Sequence, residues 1–81
     1  MSGEEEIRLS REARSRIEAT EKAVSQLDQA KLGQGQRETL DTIQDFLAKA
    51  REAMAARDVQ RAFTLADKAQ ALAKDLSRSA R

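Results

Sequence analysis

The 81-residue chain carries 15 basic and 14 acidic side chains, is 36% charged and only 2% aromatic, and contains no His, Cys, Pro, Trp or Tyr. Without His or Cys there is no thiolate nucleophile, disulfide, zinc-thiolate site or imidazole base, and the formal charge of +1 lacks the basic excess that marks a nucleic-acid binder. No run approaches the roughly 18 apolar residues that a membrane span requires.

The Ala, Glu, Lys, Leu, Arg and Gln usage is that of a long-helix or bundle protein. A core of this size contributes only about 3–5 kcal/mol net, so self-association is a natural route to further stability. Ser2 and Glu5 have capping-box spacing, and Glu4, Glu5 and Glu6 suit the positive end of a helix. The first helix is therefore predicted over about 4–31. Its apolar stripe runs Leu9, Ala13, Ile17, Thr20, Val24 and Leu27, in steps of three and four. About 28 residues would span roughly 42 Å, longer than either later helix. On this expectation the Glu4 to Glu12 stretch overhangs and frays, or its Ile7 and Leu9 meet a second copy.

Gly33-Gln34-Gly35-Gln36 reads as the one strong break, with Gly33 as the left-handed residue after the helix and Gly35 as a second hinge. The second helix, about 37–56, presents Leu40, Ile43, Leu47, Ala50 and Met54, widened by Phe46 and Ala53. Glu38, Asp41, Asp45 and Glu52 lie opposite, with Lys49 one turn from Asp45. Asp58 is placed to cap a third helix over about 58–77 by accepting from the amides of Gln60 or Arg61. Val59, Ala62, Phe63, Ala66, Ala69, Ala73 and Leu76 form its inner face, with Leu65 and Leu72 beside it. The expected fold is all-α: one domain, 1–81, an antiparallel up-down-up three-helix bundle with a long first helix.

Phe46, Ala50, Asp58, Ala62 and Ala69 fall at spacings that resemble one tetratricopeptide-type helical hairpin. Ala53 and Ala66 stand where that family has large aromatics, Arg57 where it has a turn glycine, and the closing proline is missing. The resemblance implies a single repeat-like unit, not the array of about three needed for a concave peptide groove. The stretch from Thr39 to Leu47, leading into Ala62 to Ala69, is also similar to C-terminal helical segments of uncharacterised bacterial envelope lipoproteins. That similarity implies a bacterial source and an envelope location, but no activity. Met1-Ser2-Gly3 and three glutamates form neither a basic n-region nor an apolar h-region. As written, the chain is expected to be soluble and cytoplasmic; if Met1-Ser2-Gly3 is a remnant of a fusion, an envelope location fits instead.

No catalytic residue, cofactor or metal site is expected. Glu38, Asp41 and Asp45 point away from the apolar stripe and lack the Glu-x-x-His pairs of a carboxylate bundle centre, so they read as a solvated face. Arg8, Arg11 and Lys22 project from one side of the first helix as a basic patch. Arg14 is near them, Glu18 lies among them, and no aromatic is available for base stacking. Ile7, Leu9, Phe46, Met54 and Leu65 are the candidates for an interaction surface, because a third helix cannot cover both broad faces of a hairpin. The expected role is a non-enzymatic protein–protein interaction or assembly module, self-associating as a homodimer or binding a protein partner. One alternative is a charge-driven binder of nucleic acid or an anionic surface through the first helix. The other is a designed or stability-selected scaffold without a natural ligand.

Overall fold

The computed structural model describes residues 2–80; Met1 and Arg81, the ends of the expected 1–81 domain, lie outside them. Three long helices form: α1 over Gly3–Ser25, α2 over Gln34–Ala55 and α3 over Val59–Ser79. A short 3-10 helix, Gln29–Lys31, lies between α1 and α2. The topology is up-down-up. Arg16 and Asp67 join α1 to α3 at the same level, while Gln36 at the start of α2 meets Ser79 at the end of α3. Overall Cα dimensions are 45 × 17 × 15 Å, and the near-equal short axes mean a triangular bundle and not a flat layer.

The triangle is unequal. α3 packs as extensively on α1 as on α2, whereas α1 and α2 touch little. The cause is side-chain size. Ala62, Ala66 and Ala69 of α3 are fully buried, as are Ala13 of α1 and Ala50 of α2. Alanine at these positions lets the helix axes approach toward the lower end of the usual 8–10 Å range. Larger side chains complete the core: Ile17, Leu40, Ile43, Leu47 and Leu76. Across the α1–α2 side, Arg14, Glu18, Glu21, Arg51 and Met54 line the separation instead, and an ion pair between Arg51 and Glu21 bridges it. Long polar side chains hold that edge apart, leaving a seam.

The helix ends follow local chemistry. Ser2 caps α1 by accepting from the Glu5 amide at 3.1 Å, as its spacing requires. Asp58 caps α3 by accepting from the Arg61 amide at 3.3 Å. The α2–α3 turn is a Schellman motif in which the Asp58 amide donates to Ala53 O and the Arg57 amide to Met54 O. Arg57 is left-handed, with φ 61°.

The first connection departs from expectation. α1 stops at Ser25, so it has 23 residues beside 22 in α2 and 21 in α3. It remains the longest helix, but the expected overhang is gone. A helix continued through Leu32 would place Leu27 and Leu32 about 140° apart around its axis, on different faces, at roughly 100° per residue. Breaking it lets both reach the larger core cluster, Leu32 with 7% exposure. Asp28 caps the 3-10 turn through the Ala30 amide, and the Arg37 guanidinium donates to Leu32 O and Gln29 O, tying the segment to α2. Gly33 is then the N-cap of α2, with φ −73°, and not a left-handed terminator. Gly35 lies inside the first turn of α2, which begins three residues earlier than predicted.

Candidate functional site

At the turn end of the bundle the seam widens into a groove. Its floor is Ile7 of α1, Met54 of α2 and Val59 of α3, and Gly3, Glu6 and Ser10 complete the α1 wall. Ile7 is 55% exposed and is the exposed large hydrophobic side chain among the described residues. Arg11, Arg14 and Arg57 rim the groove. All three are exposed, and none has a carboxylate within ion-pair distance among the described residues. Some other cations are paired, Arg8 to Glu12 at 3.2 Å, Lys49 to Asp45 at 3.0 Å and Arg78 to Asp75 within a helix and Arg16 to Asp67 across α1 and α3, while Lys22, Arg37, Arg61, Lys68 and Lys74 have no ion-pair partner among the described residues and lie away from the groove lining.

Each element places its part of the groove for a reason visible in the chain. Ile7 lies well off the Ala13–Ile17–Thr20 stripe that α1 buries against α3, so packing leaves it toward the open edge. Met54, in the last turn of α2, packs against both core clusters yet stays half-buried. Arg57 is turned outward by the left-handed turn. The Schellman motif requires this left-handed conformation, which a residue with a Cβ adopts at a steric cost that glycine avoids.

The five expected surface residues do not form one surface. Ile7 and Met54 share the groove. Phe46 and Leu65 are half-buried against the larger core cluster, beside Leu72, and Leu9 is half-buried on α1. The basic patch also divides. Arg8 is paired with Glu12, and Lys22 lies eleven residues from Arg11, roughly 16 Å along the helix. Arg11 instead keeps company with Arg14 and Arg57. The place of Arg57 was not read from the sequence, although the up-down topology carries the signal: the start of α1 must lie beside the α2–α3 turn.

Among the described residues, no group of three or more acidic side chains is placed to hold a metal ion, and Glu38, Asp41 and Asp45 are exposed. No buried side-chain polar atom among the described residues lacks a hydrogen-bond partner. Thr20, 1% exposed, donates to Arg16 O at 2.7 Å. The interior therefore offers no unsatisfied group around which a polar ligand could be organised. No helix of the described chain is long and apolar enough to cross a membrane. No known family model, curated protein or solved structure matches the chain.

Proposed function

We propose that the protein is a non-enzymatic helical interaction module whose working surface is the groove of Ile7, Met54 and Val59 rimmed by Arg11, Arg14 and Arg57. The observation that carries this reading is the exposed Ile7 beside three guanidinium groups with no carboxylate partner among the described residues. An apolar floor supplies area to bury, and a cationic rim selects and orients what covers it. The complementary occupant is an amphipathic helix with aliphatic side chains on one face and carboxylates along its edges. Arg is suited to this rim because its planar fork meets a carboxylate bidentately.

The test is titration of isotope-labelled protein with a helix-forming peptide bearing leucines on one face and flanking glutamates. Amide shifts confined to Gly3–Arg14 and Met54–Val59, lost in Ile7→Asp and in Arg11→Glu/Arg14→Glu, support the reading. Equal binding of a lysine-flanked peptide overturns it, as does preference for duplex DNA with a steep fall in affinity as salt rises.

A further inference from the structure

We infer that the helix that fits this groove is the same helix in a second copy of the chain, placed antiparallel across a two-fold axis beside Ile7 and Ser10. The inference rests on the interaction-module reading above and supplies its partner. The first turn of α1 holds Glu4, Glu5 and Glu6, exposed and with no cationic partner among the described residues. The helix macrodipole accounts for acids at that end. It does not account for Arg11 and Arg14 standing unpaired on the next turns of the same groove wall.

Within one chain these charges lie too far apart along α1 to meet. Glu6 and Arg11 are five residues apart, neither of the three- and four-residue separations at which helical side chains pair. Reversing a second α1 brings Glu6 and Arg11 together. The antiparallel register that sets Ile7 against the second copy's Ser10 also sets Glu6 against its Arg11 and Gly3 against its Arg14. Two-fold symmetry makes every such contact twice. Any helical stripe is symmetric in position; the charges make this one complementary. The parallel arrangement sets Glu6 against Glu6 and Arg11 against Arg11, so charge selects the antiparallel partner. Ser10 and Gly3 are small enough to admit the facing Ile7 and Arg14, and Ile7 leaves water on both copies.

The experiment is sedimentation equilibrium of the full chain over a wide concentration range, with charge-reversed variants at exposed positions that folding does not need. Glu6→Arg alone leaves four cations and no acid at the paired positions of a dimer, and Arg11→Glu alone leaves four acids. Each is expected to weaken self-association by roughly ten-fold or more. Mixing the two variants restores opposite charges at both contacts, so a one-to-one heterodimer should form where neither variant pairs with itself, and Glu6→Arg/Arg11→Glu in one chain should dimerise again. Unchanged helicity by circular dichroism shows that each variant is folded. A wild type that stays monomeric at the highest concentration overturns the inference, as does a mixture no more associated than its components. If the chain is monomeric and still binds the acidic peptide, the interaction module stands and only the second copy is wrong. If neither occurs, both readings fall.

Discussion

The Arg16 guanidinium carbon lies 4.7 Å from the centroid of the Phe63 ring, while its Nε donates to Asp67 Oδ1 at 3.3 Å. One side chain of α1 thus holds two residues of α3, one turn apart. The two contacts are unequal in weight. Asp67 is 60% exposed, so water and salt screen the ion pair to a few tenths of a kcal/mol. The stacked cation over a half-buried ring contributes about 0.5–1 kcal/mol. A double-mutant cycle of Arg16→Ala and Phe63→Leu, read by chemical denaturation, should give a coupling in that range. Asp67→Asn should cost less than either, and strict additivity of the Arg16 and Phe63 changes would remove the stacking from the account.

Arg57 couples the turn to the groove. In the C′ position of a Schellman motif at φ 61°, a residue with a Cβ is disfavoured relative to glycine. Arg57→Gly should therefore raise the unfolding free energy by up to about 1 kcal/mol, equivalent to roughly 4–8 °C in Tm for a domain of this size. The same change removes one of the three guanidinium groups at the groove rim and should weaken binding of the acidic peptide. Stability rising while affinity falls is the expected signature of a residue kept for its side chain against the preference of its backbone. If affinity is unchanged, Arg57 has no part in the site.

The helices, their core faces and two of their caps were legible because each is written in local spacing. Leu40, Ile43, Leu47 and Ala50 recur at helical intervals, and Ser2 and Asp58 have the side-chain oxygens that cap. The break after Ser25 was not legible, since the pull came from Leu32 finding the core cluster, which only the assembled bundle provides. The same is true of the groove. Ile7, Met54 and Arg57 belong to three different parts of the chain, and only the antiparallel return of α2 beside α1 brings them together. Gly33 and Gly35 misled because glycine between two helical patterns serves equally well to end one helix or to begin the next.

The start of α2 is under-stabilised by its own sequence. Gly33 as N-cap offers no side-chain oxygen, so only half of the reciprocal cap forms: Gln36 Oε1 accepts from the Gly33 amide at 2.9 Å. The Gln36 amide group also donates to Ser79 O at 3.1 Å and Ser79 Oγ at 3.2 Å, fastening α2 to the end of α3. A Cβ on Gly33 would meet Gln36 Oε1 at 3.7 Å, ordinary contact, and one on Gly35 would meet nothing within 4 Å. Gly33→Ser and Gly35→Ala should thus each stabilise by about 0.4–1 kcal/mol through a better cap and a less flexible unfolded chain. Gln36→Ala should destabilise by about 1 kcal/mol. Thermal melts of the three variants decide the matter; a Gly35→Ala protein less stable than the parent would mean that the first turn of α2 is not helical.

The small residues on α3 set the closest approach in the bundle, and their replacement probes the fold most directly. Ala66 and Ala69 are completely buried where α3 packs on its neighbours. Ala69→Leu must drive the helices apart or force a strained rotamer, a cost of about 1–3 kcal/mol. Against a net stability of about 3–5 kcal/mol for a core this small, that is the difference between a cooperative melt and a partly unfolded protein at room temperature. Ala71, exposed on the outer side of the same helix, is the matched control: Ala71→Leu should change stability by no more than about 0.5 kcal/mol. The two variants have the same composition and nearly the same helix propensity, so a gap between their denaturation midpoints isolates the packing term. Equal midpoints would mean that α3 does not occupy the centre of the bundle.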